Sequence, residues 1–342
     1  MSVSNERFQK ALKAEPQAIP PVWYMRQAGR YHSHYQALRK QHSFVELCKN
    51  PDLAAEVARG PVAEFDFDLA ILFSDLLFPL EVFGMGLEYN PGPQLAFQLD
   101  EKSISSFKSV EQALPGLHFQ REAMKKTRQV LPENKSLIGF VGGPWTLFGY
   151  AVEGSHAGGL KLAKAKLPLF KQFCELMVPL LIQNIQLQFD GGAEAVMVLD
   201  TASGELSPGL FNDLVVPPLA ELAKAFPGRL GYYSKATTLD HLDPQMHGDK
   251  NWGGFGYDHR WSMQERLLRR RHGFIQGNLD QTLLFQDHET FKKTVDAYLQ
   301  PMAELSVSER AGWVCGLGHG VLPQTPEANV AYYIQRVREV LK

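Results

Sequence analysis

The sequence predicts a single (β/α)8 barrel, and three observations carry that reading. Eight short apolar runs punctuate the chain, most of them ended by glycine or a polar residue. Segments of helical periodicity lie between them, and no break in composition marks a second domain within the 342 residues. Strand followed by helix, repeated about eight times, is the pattern of a parallel sheet closed on itself. With 44% hydrophobic and 21% charged residues, the chain can bury the large core such a barrel needs.

Taken in order, the amphipathic start "MSVSNERFQKALKAEPQ" leads to the first run, "PVWYM" (21–25). The segment "NPDLAAEVARGPVAEF" reads as a helix, with Asn50 as cap and Pro51 in the first helical position, and it precedes the second run, "LAILFS" (69–74). Next, "GMGLEYNPGPQLAFQL" alternates as a hairpin does and reads as an insertion near 85–100. The helical "SVEQALPGLHFQREAMKKTRQVL" leads to "LIGFVG" (137–142), and the long "GLKLAKAKLPLFKQFCELMVPLLIQNIQLQF" leads to "AVMVL" (195–199). A further helix, "SPGLFNDLVVPPLAELAKAF", precedes "RLGYYS" (229–234). The sixth run, "NWGGFGY" (251–257), is a weak strand signal because it is rich in glycine and poor in β-branched residues. "GFIQG" (273–277) and "GWVCGLG" (312–318) complete the eight, and the helical "TPEANVAYYIQRVREVLK" ends the chain.

Charge and cysteine content narrow the function. A formal charge of -2 and a pI near 6.6 give no general attraction for nucleic acid or an anionic membrane, so affinity for an anion must come from a local cluster. Cys48, Cys174 and Cys315 are far apart and odd in number, which argues against a disulfide framework and for a reducing compartment. There is no apolar signal core at the N-terminus and no run of 18 apolar residues, so a cytoplasmic protein is expected.

In a barrel of this kind, residues just past the carboxyl ends of the strands gather around one pocket mouth. Here those positions hold Arg26, Gln27 and Arg30, then Asp75, then "GGPWT" leading to Tyr150. Asp200 and Thr201, Ser234 and Lys235, Asn278 and Asp280, and finally His319 follow at later strand ends. Asp75 in "FSDLL" also suits the capping of a following helix, a common duty for aspartate.

Two long segments, "PVWYMRQAGR" and "GFVGGPWTLFGYAVEG", resemble the signature segments of the uroporphyrinogen decarboxylase family. "SFVELCKNPDLAAEV", "ILFSDLL", "QGNLD", "GLGHG" and "TPEANV" resemble further family segments in family order, so the likeness spans nearly the whole chain. The resemblance implies a (β/α)8 barrel that removes the four acetate carboxylates of uroporphyrinogen III to give coproporphyrinogen III. It also implies a cytoplasmic homodimer that works without metal or organic cofactor. Carried over motif by motif, it points to Asp75, Tyr150, Arg26 and Arg30 as catalytic, and to Gln27, Arg39, Thr201 and His319 as further contacts to the tetrapyrrole. Departures are "YHSHY" for the usual "YLPEY", Cys315 and Gly316 before "LGHG", Gln281 after "GNLD", and "GYDHRW" where "GLDW" is usual.

The chemistry accounts for these residue types. Loss of carbon dioxide from a pyrrole-bound acetate needs an electron sink, and protonating the adjacent ring carbon makes the pyrrole itself that sink. A carboxylate near the pyrrole N–H groups stabilises the cation as it forms, which is the task proposed for Asp75. Arginine forks suit a substrate with eight carboxylates, chiefly on those that do not react, since gripping the departing carboxylate favours the ground state. Two other readings stand beside this one. Cobalamin-dependent methyltransferases share the superfamily resemblance and hold zinc through His-x-Cys, a pattern this chain lacks. A non-catalytic tetrapyrrole-binding paralogue would keep the pocket and lose turnover.

Overall fold

The computed structural model describes residues 4–90, 92–269 and 272–342. Seven parallel strands form one sheet in the order Leu69–Ile71, Ser136–Gly142, Ala195–Leu199, Leu230–Tyr233, Trp252–Gly256, Phe274–Leu279 and Trp313–Leu317. Residues 21–24 close the ring between the last of these and the first. The Cys315 amide donates to the Pro21 carbonyl (2.9 Å) and the Trp23 amide to the Cys315 carbonyl (3.1 Å). On the other side the Asp68 amide donates to the Val22 carbonyl (3.2 Å), and the Val22 amide to Asp68 Oδ2 (2.8 Å). The predicted first strand is thus reduced to a single bridge, Val22 to Cys315. Pro20 and Pro21 have no N–H to donate, so a longer ladder cannot form there.

The weak sixth run is a full strand, and its glycines have a packing cause. Phe274, on the next strand, points into the barrel, where a Cβ on Gly254 would lie 2.4 Å from its ring and one on Gly231 would lie 2.6 Å from it. Phe274 shares this inner core with Trp23, Met25, Leu69, Ile138, Met197, Tyr233 and Val314. Phe8 and Ala11 of the helix Glu6–Leu12 join them. That helix plugs the N-terminal ends of the strands: the Asn5 amide donates to Ser136 Oγ (2.9 Å), Arg7 pairs with Asp68 (3.2 Å), and Gln9 Nε2 donates to Glu194 (2.5 Å). With one end plugged and the interior filled, the carboxyl-end face is the end of the barrel left open to a ligand.

Outside the strands, Asn50 caps the helix Pro51–Phe65 through the amides of Asp52 and Leu53. The helices predicted over 109–131 and 159–189 are each broken near a proline, into Val110–Ala113, a 3-10 turn and His118–Val130, and into Lys161–Ala165 and Leu167–Asp190. A helix that the sequence reading did not single out, His288–Ala303, is capped by Asp287, whose side chain accepts from the Thr290 amide. Leu87–Tyr89 and Pro93–Leu95 pair antiparallel; residue 91, inside the predicted hairpin, lies outside the described residues. Among the described residues no helix is long and apolar enough to cross a membrane.

Candidate active site

The carboxyl ends of the strands surround an open cavity of about 1010 Å³. Its floor is apolar, built from Met25, Ile71, Leu72, Phe140 and Leu199. Five of the predicted site residues line it: Arg26, Asp75, Tyr150, Thr201 and His319. Asp75 is the one carboxyl among the described lining residues. Its Oδ1 accepts the Leu77 amide at 2.9 Å across the turn into the helix Phe78–Leu80, whose cap position is Leu77 rather than Asp75, so the expected capping becomes bracing of that turn, and the same side chain still faces the cavity. Burial against the apolar floor raises its pKa above the ordinary carboxyl value, while the Leu77 amide, Tyr89 of the hairpin and Arg26 pull it back down.

Arg26 sits just beyond the closing bridge with φ of +59°, a left-handed conformation that costs a non-glycine residue about 1–3 kcal/mol. Its aliphatic stem lies on Gly320, where a Cβ would come within 2.6 Å of Arg26 Cδ, which explains the glycine after His319. No carboxylate or carbonyl among the described residues pairs with its guanidinium, which is left open to a ligand. Gln27 is wholly buried and turned to the backbone, donating to the Leu69 carbonyl (2.8 Å) and accepting from the Tyr24 amide (3.4 Å). Arg30 and Arg39 are exposed and line no part of the cavity, and Arg39 donates to the His42 carbonyl.

The second signature segment builds one wall. Gly143 precedes the helix Pro144–Glu153, and a Cβ on it would strike Asp200 at 2.3 Å. That close approach lets buried Asp200 accept from the Thr146 amide (2.8 Å) and hydroxyl (2.7 Å), where an anion complements the helix N-terminus. Thr146 and Tyr150, four residues apart, then face the cavity together. Gly154, at φ of +76°, ends the helix and turns the chain back, so that His156 Nδ1 lies 2.6 Å from the Tyr150 hydroxyl. Burial, helped by Asp75, pushes the Tyr150 hydroxyl up to about 12. Burial, with Arg26 and Lys235 nearby, lowers the His156 imidazole.

His156 was missed in the sequence because "GSHAGG" reads as a loop; a glycine placed to end a helix, followed by a histidine, is the signal that marks it. Tyr89 and Pro93, which the hairpin brings to Asp75 and to the cavity wall, were missed because the alternation that marks the hairpin does not show toward which face it leans.

His319 is fixed by Tyr233. The Tyr233 hydroxyl donates to the Gly318 carbonyl (2.7 Å) and lies 2.9 Å from His319 Nδ1. Its single proton is engaged, so His319 Nδ1 is the donor in that contact and Nε2 keeps a lone pair. Burial, then Arg26 and Lys235, push the imidazole down to about 3. An unfolded chain takes up this proton near pH 6.5 whereas the folded chain refuses it until about 3, so stability present above about pH 6.5 is lost as the pH falls through that window. His319→Gln should therefore flatten the decline of the urea midpoint between about pH 6.5 and 4. Equal slopes in variant and parent would remove His319 as the source.

The departures from the family pattern sit mostly away from the cavity. His32 and His34 pair with Glu64 (2.6 Å) and Glu56 (2.9 Å) on the helix Pro51–Phe65. Buried Cys315 meets the Tyr333 hydroxyl at 3.2 Å. Asp258 of "GYDHRW" is buried and accepts from the Ala236 amide (2.6 Å) and from Arg260 (2.6 Å). Among the described residues no three His, Cys, Asp or Glu side chains are grouped to hold a metal ion.

Residues 3–340 match the sequence profile of the family Uroporphyrinogen decarboxylase (URO-D). A curated protein of that name from Koribacter versatilis (strain Ellin345) is 32% identical, covering 99% of this chain and 97% of its own length. Another, from Helicobacter pylori (strain Shi470), is 35% identical over 93% of this chain and 94% of its own. Among solved structures, a methyltransferase from Methanosarcina mazei superposes with a TM-score of 0.77 over 99% of this chain and 98% of that one. At 18% identity this is a likeness of fold alone.

Proposed function

Since the chain belongs to the uroporphyrinogen decarboxylase family, whose members are carboxy-lyases of tetrapyrrole biosynthesis, we propose how its own residues carry that reaction. The observation that supports the assignment most directly is Asp75, one carboxyl on an apolar floor, with the open guanidinium of Arg26 in the same cavity. A tetrapyrrole laid on this floor brings its pyrrole N–H groups to Asp75 and its peripheral carboxylates to Arg26.

A proton added to the ring carbon beside one acetate makes that pyrrole cationic, and the Asp75 carboxylate accepts its N–H hydrogen bond and opposes the charge. The bond to the carboxylate carbon then breaks, its electron pair flows into the ring, and carbon dioxide leaves. The exposed methylene takes one proton to become a methyl, and the ring carbon gives its proton back. Each acetate thus becomes a methyl with no net change in ring oxidation. Arg26 holds carboxylates that are not reacting in that cycle, which orients the macrocycle without favouring the ground state of the one that leaves.

We assign proton delivery to the Tyr150–His156 pair. A phenol held near 12 does not ionise at neutral pH, so it passes a proton on only as it receives the Nδ1–H proton of His156, and because burial keeps His156 neutral, its Nε2 takes up a proton from water in the same step. His156→Phe is expected to lower kcat by about tenfold, below the usual span for a lone acid because water replaces part of the relay, and to change the solvent deuterium isotope effect. Single-turnover decarboxylation in light and heavy water measures both, and an unchanged isotope effect would exclude the relay.

The whole assignment is tested by an anaerobic assay of purified protein with uroporphyrinogen, without added metal or corrinoid, followed by chromatography of the oxidised porphyrins. Products with seven to four carboxylates are expected; substrate returned unchanged would overturn it. The family likeness also supports a homodimer in the cytoplasm, and sedimentation of the purified protein reads the assembly state.

A further inference from the structure

The helical returns around most of the barrel are long, as in Leu167–Asp190 and His288–Ala303, but two neighbours are not. After Leu230–Tyr233 the return consists of the one-turn helices Leu239–Leu242 and Gln245–Gly248, and after Trp252–Gly256 it is the six-residue helix Met263–Leu268. These short pieces leave part of the barrel's outer surface uncovered. A second cavity of about 880 Å³ opens there, walled by Phe255 and Ile275 from the strands, by Tyr257 just past one of them, and by Arg266, Arg269 and His272. It shares no lining residue with the candidate active site.

Two polar groups in this cavity lack partners. Arg266 is only 7% exposed, yet no acceptor among the described residues meets its guanidinium. Its carbon Cζ lies 5.0 Å from the Trp261 ring centroid, a cation–π contact that offsets charge but accepts none of the five N–H groups in the fork. His272 Nε2 is likewise buried with no partner. The acidic side chain of the cavity, Asp243, is by contrast engaged: its Oδ1 lies 3.4 Å from His247 Nδ1, while His247 Nε2 meets the Tyr257 hydroxyl at 2.8 Å. Arg269 adds a second positive charge at the exposed rim. A buried guanidinium without an acceptor is costly, and an oxyanion is the ligand whose geometry its fork matches.

We propose that this outer cavity binds a small organic anion, its phosphate or carboxylate head on Arg266, Arg269 and His272 and its apolar body against Phe255 and Ile275. The site is separate from the decarboxylation cavity, and none of its residues takes part in that reaction.

Isothermal titration of the full chain with phenyl phosphate, benzoate and inorganic phosphate tests this. Phenyl phosphate or benzoate should bind the parent protein, and whichever binds more tightly identifies the head group. Inorganic phosphate should bind more weakly than phenyl phosphate if the apolar wall contributes. Arg266→Met should weaken binding at least tenfold without changing decarboxylation turnover, whereas Arg26→Gly should leave binding unchanged. If Arg266→Met does not fold, Arg269→Met and His272→Gln each serve in its place and should each weaken binding. Three results would overturn the proposal: no binding at millimolar concentrations, affinity unaltered by all of the outer-cavity variants, or affinity lost in Arg26→Gly, which would place the anion in the decarboxylation cavity.

Discussion

Replacing Asp75 by asparagine is expected to lower decarboxylation by roughly a hundredfold or more, about 2.7 kcal/mol of transition-state stabilisation, while the protein stays folded. Asp75 does two jobs that this one substitution separates. Its Oδ1 accepts the Leu77 amide at 2.9 Å, and an asparagine oxygen takes that bond equally well. What asparagine cannot supply is the negative charge facing the cavity. The loss should fall on kcat more than on product binding, because the neutral macrocycle asks less of this group than the protonated pyrrole does. Thermal unfolding, coproporphyrinogen binding and single-turnover decarboxylation on the same preparation decide the matter. Near-normal turnover in a folded Asp75→Asn protein would reduce the residue to a brace of the turn at Leu77.

Arg26→Gly should have the next largest effect, and it should fall chiefly on binding. The residue occupies the left-handed region, which glycine adopts without cost, so the substitution removes the guanidinium and relieves the backbone together. The melting temperature should hold or rise. A charged hydrogen bond to a carboxylate contributes roughly 1.5–3 kcal/mol, so KM should increase by about ten- to a hundredfold with a smaller change in kcat. Raising the ionic strength should raise the parent's KM and leave the variant's flatter, since the screened charge is then absent. Arg30→Ala, at a side chain outside the cavity, should cost less than Arg26→Gly. Equal losses in the two variants would argue that the first signature acts as a unit.

Which features could be read from the sequence follows from where the deciding physics sits. Apolar runs closed by glycine located the strands because burial on both faces writes itself into each run locally. The glycines of Trp252–Gly256 weakened that signal for a non-local reason: Phe274, twenty positions later, occupies the space a Gly254 side chain would need, and the Gly228 carbonyl and Gln276 crowd Gly253 and Gly256. Asp75, Tyr150, Thr201 and His319 could be found because the end of a strand is a local address. Gln27 lies at such an address too, yet its buried amide is turned to the Leu69 carbonyl and lines no part of the cavity. His156 escaped because only the turn at Gly154 brings it back over Tyr150, and Tyr89 because a hairpin's tilt toward Asp75 leaves no mark on its own alternation.

The seam at which the ring closes has a consequence for how the enzyme comes into being. Residues 21–24 are synthesised nearly three hundred positions before Cys315, which they pair with. Arg26 lies just past one side of that seam, and His319 and Gly320 just past the other, with the stem of Arg26 resting on Gly320. A nascent chain that has already made Asp75 and Tyr150 therefore still lacks the mouth of its cavity. Contacts so distant in sequence are slow to form, and the exposed edge at Leu69–Ile71 must wait for them during synthesis. Catalytic competence thus waits for the last strand of the ring, and a chain cut short before Trp313 would present most of the site's side chains without the ring that makes them a site.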